Sequence, residues 1–142
     1  MKRKIYIVLL TVYALSAQTF SIARIHYGGG GDWYSDPSSI PNLLKYLSTN
    51  TPISVNPEEA RIKLTDENAN QYPYLYLTGH GNIKFTDDEI ISLRTILMNN
   101  GFLHADDNYG MDKSFRREMK RVFPNKNFVN LPNDHLIFNS FY

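Results

Sequence analysis

The sequence predicts an α/β domain built on a mainly parallel sheet, and three observations carry that prediction. Short apolar runs that read as strands alternate with longer amphipathic stretches that read as helices. In one compact chain that alternation implies parallel strands with helices on both faces. The 142 residues, 42% hydrophobic and 20% charged, suit one such domain and lack the composition of a disordered segment. Finally, polar clusters rich in Gly, His and Asp follow three of the strand-like runs, at the strand ends where open parallel sheets bind ligands.

The chain opens on Lys2, Arg3 and Lys4, continues with an uncharged, largely apolar run from Ile5 to Leu15, and then presents Ser16, Ala17 and Gln18. This is the layout of a secretory signal peptide, expected over residues 1–18, and the run is shorter than the ~20 residues that span a bilayer. The expectation is an exported, periplasmic or extracellular domain over residues 19–142, with no stable membrane anchor. Losing three positive charges takes the chain from +1 to −2, so nucleic acid is not an expected partner. With no cysteine there is no disulfide, thiolate nucleophile or zinc–thiolate site.

Phe20 to Tyr27 alternates apolar and polar residues and reads as the first strand, ending in Gly28 to Gly31. A helix follows from Ser38 or Ser39 as N-cap, with Leu43, Leu44 and Leu47 as its buried face. Ile53–Val55 or Ala60–Leu64 supplies the second strand. Tyr72–Thr78 reads as a central strand, with Pro73 tolerated only at its start. Thr86 and Glu89 form a capping box that opens the next helix, whose apolar stripe is Ile90, Ile91, Leu93, Leu97 and Met98. Asn100-Gly101 is a left-handed stop. Gly101–Ala105 is then a buried strand, followed by a turn at Asp106–Gly110. A helix capped by Asp112 buries Phe115, Met119, Val122 and Phe123. Phe128–Leu131 reads as a last strand.

Three loops are thus expected to converge on one edge of the sheet. Gly79 and Gly81 flank His80, so backbone amides can approach a ligand without an intervening Cβ, and His80 can donate a proton or bind a metal. A tight turn with a capping or packed histidine fits the same residues. His104 and Asp106 lie two apart in an extended run and face the same side, with Asp107 opposite. They can act as a carboxylate-oriented base or bind a divalent ion, or His104 can be a satisfied core histidine beside turn residues Asp106, Asp107 and Asn108. Gly30, Asp32 and Trp33, with Tyr34, supply a glycine-rich approach, a carboxylate and aromatic faces suited to a flat ligand or sugar ring, and a loop packed onto the domain fits the same residues equally. The glycine run lacks GxGxxG order and there is no phosphate-loop Lys-Ser/Thr, so no motif assigns a cofactor. Arg116, Arg117, Lys120 and Arg121 read as the solvated face of a helix rather than a nucleic-acid patch, with anion clamping by Arg116 or Arg117 as the lesser alternative.

The segments Tyr27–Tyr34, Tyr74–Gly81, Gly101–Asp112 and Phe115–Met119 resemble the bacterial family catalogued as domain of unknown function 4159, from about Phe20 to the end of the chain. The resemblance implies a flavodoxin-like three-layer sandwich, in a branch of the class I glutamine-amidotransferase-like superfamily near the trehalose-utilisation-type proteins. There, a Gly-Gly-x-x-x-x-His strand and a later Asp-His-Pro-Ile are similar to Asn100–His104 and Asp134–Ile137. It implies a site at the strand ends and no established activity. Two departures follow. The amidotransferases' elbow cysteine has no counterpart after Phe102–Ala105, which excludes that glutaminase chemistry. Leu136 stands where Pro is usual, and family members continue further, so the sheet is expected to be C-terminally incomplete and the chain marginally stable. The functional expectation is an exported domain binding a small polar ligand, saccharide included, at the C-terminal edge of the sheet. The alternative is a cell-envelope hydrolase, metal-assisted or using His104 and Asp106, and a third class is a module for assembly with a protein partner.

Overall fold

The structure is a computed structural model that describes residues 19–139, so the segment read as a signal peptide lies outside it. Strands β1 (Ile22–Ile25), β2 (Ala60–Ile62), β3 (Tyr74–His80) and β4 (Phe102–Tyr109) form one sheet in the order β2-β1-β3-β4. Every pairing is parallel, with Ala23 beside Ala60 and Leu75, and Leu75 beside Leu103. Helices α1 (Ser39–Asn50), α2 (Asp87–Met98) and α3 (Asp112–Val122) flank the sheet, and a short α4 (Leu136–Asn139) ends the described chain. This is the flavodoxin-like α/β arrangement the sequence predicts.

Burial divides along the strand alternation. Ile22 and Tyr76 pack with Ile40 and Leu44 of α1 on one face. Ala23, Ile25, Leu75 and Leu77 pack with Ile90, Leu93 and Ile96 of α2 and with Val122 of α3 on the other. Each such aliphatic side chain removed from water contributes roughly 1.5–3 kcal/mol. Helix α2 starts where Thr86 and Glu89 close their capping box, with the Glu89 N–H donating to Thr86 Oγ1 and the Thr86 N–H donating to Glu89 Oε2. It stops where Asn100 adopts a φ of 65° and the Gly101 N–H returns to the Ile96 carbonyl.

Several expectations change for identifiable reasons. Strand β1 is buried on both faces because it is interior, and Arg24 survives there only through its polar partners. Ala60–Ile62 is the second strand, while Val55 makes a single parallel bridge to Phe20. In α2 the buried face is Glu89, Ile90, Leu93 and Ile96, and Ile91 and Met98 are exposed. Strand β4 is an edge strand, hence only partly buried, and it runs on through Asp106–Asn108 because β3 continues beside it to Gly79. Helix α3 is capped by Asp107, whose carboxylate accepts the Met111 and Asp112 N–H groups, and not by Asp112. Residues 128–131 form no strand. Phe128 is held against α3 instead, its ring 5.8 Å from Phe115 and beneath the Arg116 guanidinium.

Candidate ligand site at the sheet edge

The strand order reverses between β1 and β3: β2 lies to one side of that gap and β4 to the other. In an open parallel sheet the loops leaving such a gap diverge and leave a crevice at the carboxyl ends of the strands. The loop after β1 and the turn after β3 meet there. They are tied together by Gly31 N–H to the Asn82 carbonyl (3.0 Å), Lys84 N–H to the Gly28 carbonyl (2.9 Å) and the Asn82 side-chain amide to the Gly29 carbonyl (2.9 Å).

Asp32 and His80 form the centre of this edge. Asp32 Oδ1 accepts the His80 backbone N–H at 2.5 Å, and Oδ2 lies 2.9 Å from His80 Nδ1. The backbone bond first, then the imidazole bond, hold the Asp32 carboxyl below the usual carboxylate range. Both groups stay accessible, with side-chain exposures of 54% for His80 and 32% for Asp32. With Nδ1 engaged by a carboxylate, Nε2 is the ring nitrogen left for a ligand. Among the described residues no hydroxyl bonds to the His80 ring, and no three His, Asp or Glu side chains gather as ligands for a metal.

Gly79 makes this geometry possible. Its φ is +145°, and a Cβ there would sit 2.3 Å from Tyr27 Oη and 3.0 Å from Asp32 Oδ1. Tyr27 Oη donates to the Thr78 carbonyl at 3.0 Å beneath the pair. Burial, with the nearby Asp32 charge adding, pushes its phenol up to about 12. Gly30 and Gly81 both have positive φ and open space where a Cβ would lie. Trp33 stacks on His26 (4.2 Å, 27°) and meets Tyr34 edge-on at 5.7 Å, leaving Tyr34 exposed. Tyr109 is also exposed, and its carbonyl accepts the Gly81 N–H.

His104 and Asp106 share the α1-side face of β4, as their spacing predicts, and Asn108 joins them there because the strand runs on past the expected turn; the structure does not join them to the Asp32–His80 pair or to one another. His104 stands beside Tyr76 in the register, four residues before His80 along the strand direction, or roughly 13 Å. Its Nδ1 bonds Tyr74 Oη at 2.9 Å, while Asp106 accepts from Tyr76 Oη at 3.2 Å. The expected His104–Asp106 pair is therefore replaced by two cross-strand tyrosine contacts. Asn108 donates to Ser35 Oγ (3.1 Å) and to Asp36 Oδ2, which ties β4 to the loop after β1. Asp107 faces the other side, as expected, and is consumed in capping α3.

Sequence reasoning did not find Arg24, Glu59 or Tyr27. Arg24, 1% exposed, pairs with Glu59 (3.0 Å) and donates to the Ser35 and Asp36 carbonyls (2.8 and 3.2 Å), so it anchors the loop that carries Asp32. A lone arginine inside a run otherwise fit for burial is the signal that could have found it. Tyr74 and Tyr76 were legible as partners of His104 and Asp106 only once the β3–β4 register was known.

A four-stranded parallel sheet between helices, with a carboxylate–imidazole pair at its switch point, defines this protein as a flavodoxin-like α/β domain with an open polar edge. Residues 21–142 match the family described as Domain of unknown function (DUF4159), and the chain belongs to that family. No curated protein matches the chain.

Proposed function

We propose that the chain is an exported ligand-binding domain whose site is the edge centred on Asp32 and His80, and whose ligand is a small polar molecule of saccharide type. The carrying observation is the double engagement of His80 by the Asp32 carboxylate at the switch point, which fixes a half-exposed imidazole through Nδ1 and leaves its Nε2 for a ligand. Saccharide hydroxyls both donate and accept, matching a carboxylate and an imidazole, and their C–H faces suit rings such as exposed Tyr34 beside Trp33. Export rests on the charged and apolar pattern of residues 2–18. On the same reading the family is a branch of the glutamine-amidotransferase-like superfamily, and this chain, which has no cysteine, works without that superfamily's nucleophile.

Trp33 is the sole tryptophan and lies in the loop that carries Asp32, so its fluorescence reports on the site. Titration with peptidoglycan fragments and neutral oligosaccharides should give a saturable change that Asp32→Asn and His80→Ala both abolish. An unaltered response in His80→Ala would sink this reading. The second reading is hydrolysis with His80 as base for water, supported by the 2.9 Å contact to Asp32. It requires turnover of an envelope-type ester, amide or glycoside that disappears in His80→Ala and leaves the His104→Ala rate intact.

A further inference from the structure

A groove of about 600 Å³ runs along α3, where the segment after the helix folds back over it; its lining shares no residue with the Asp32–His80 pair, although Arg117 reaches across to the Asn82 side chain. Lys120 Nζ donates to the Lys126 carbonyl and to Asn127 Oδ1 (both 3.2 Å), and Arg116 sits 4.8 Å over the Phe128 ring. Those contacts shape a cleft out of what would otherwise be a plain solvated helix face. Its walls carry Lys113, Arg116, Arg117, Lys120 and Lys126, and no carboxylate lines it. Its apolar lining is Met119, Phe123 and Phe128, the last 52% exposed. Arg116 and Arg117 have local partners in Asp112 and Glu118, but Lys113 and Lys126 have none among the described residues. Five cations in one groove of a chain whose net charge is +1 is a strong local asymmetry.

We propose that this groove is a second binding site, for an acidic polypeptide segment that carries aromatic or aliphatic residues between its carboxylates. The cations of α3 recur at positions 113, 116, 117 and 120, over roughly 10 Å of helix. A single small anion uses one or two of them, whereas a segment with several spaced carboxylates matches the row. The apolar lining adds a requirement that a bare polyanion does not meet. A groove of about 600 Å³ takes side chains laid along it between the cations, which favours a polypeptide chain. Charge complementarity of this kind raises the association rate and selects the partner by sign.

The test uses the full chain and a labelled twelve-residue peptide with six Glu around two Phe, against its Gln counterpart. The Glu peptide should bind and weaken as salt rises, and the Gln peptide should bind at least tenfold more weakly. Lys113→Glu with Lys126→Glu, two residues outside any ion pair, should weaken binding at least tenfold with an unchanged circular dichroism spectrum. Phe128→Ala should weaken it several-fold, and His80→Ala should leave it unchanged, which separates this site from the edge site. The proposal is overturned by equal binding of the Gln peptide or by a double reversal with no effect. It is equally overturned if oligothymidylate, or vesicles containing phosphatidylglycerol, bind the groove as tightly as the Glu peptide.

Discussion

The molecule holds two histidine–carboxylate regions, and they differ in what supports them. At the β1/β3 edge, Asp32 and His80 come from two loops, meet each other, and present accessible atoms. On β4, His104 and Asp106 are two residues apart, point the same way, and are each claimed by a tyrosine of the neighbouring strand. Residues on one strand face are held about 7 Å apart by the backbone repeat, so they bond across the sheet more readily than along it. Loops at a switch point carry no such restraint. Same-face spacing thus identifies shared environment, whereas a working pair needs convergence of separate segments.

The largest effect tests what anchors the edge. Arg24→Met leaves the buried Glu59 carboxylate with only the exposed Arg61 as its cation and frees the Ser35 carbonyl, and should cost about 3 kcal/mol by urea unfolding. Arg24→Met combined with Glu59→Leu should recover most of that loss, and a double variant as unstable as the single one would contradict the pairing. Gly79→Ala should follow at about 2–4 kcal/mol, because its Cβ has no room beside Tyr27 Oη and its φ disfavours any side chain. Wild-type stability in that variant would disprove the close approach.

The pair of histidine variants sharpens the comparison directly. His104→Ala should lose about 1 kcal/mol through the Tyr74 contact and keep the Trp33 response to ligand. His80→Ala should change thermal stability less and lose the response. The reverse pattern would move the functional centre to β4.

Two further effects are in pH. Burial raises the Tyr27 phenol in the folded chain from 10.0 to about 12. The unfolded chain ionises first, so this stabilisation is whole below about pH 10 and is lost as pH rises toward 12. The stability gap between wild type and Tyr27→Phe should narrow across that window in urea titrations at fixed pH, and a constant gap would contradict it. Asp32 works in the opposite sense: its lowered pKa gives stabilisation that is present above the ordinary carboxylate range and disappears as pH falls through the folded value. Asp32→Asn should flatten the acid limb of the unfolding curve.

How far the sequence carries is visible in particular residues. The Thr86–Glu89 box and the Asn100-Gly101 stop were readable because their chemistry is local, set within four or five residues. The gathering of the Gly28–Asp32 loop and the Gly79–Gly81 turn followed from strand–helix alternation. The partner of His80 did not, since Asp32 lies 48 positions away and nothing in either segment encodes the distance between them. Phe128–Leu131 misled because an apolar run has the same pattern whether it joins a sheet or lies against a helix.

The amino-acid order by itself determined the fold class, the start and stop of α2, the shared facing of His104 and Asp106, and the absence of thiol chemistry. These depend on backbone periodicity, capping and composition. Only the tertiary structure decided that β1 is interior and β4 an edge, that Arg24 is buried against Glu59, and that His80 finds Asp32 and not the β4 carboxylates. Those outcomes depend on strand order and register, which are settled by packing summed over the whole core and not by any short stretch of chain.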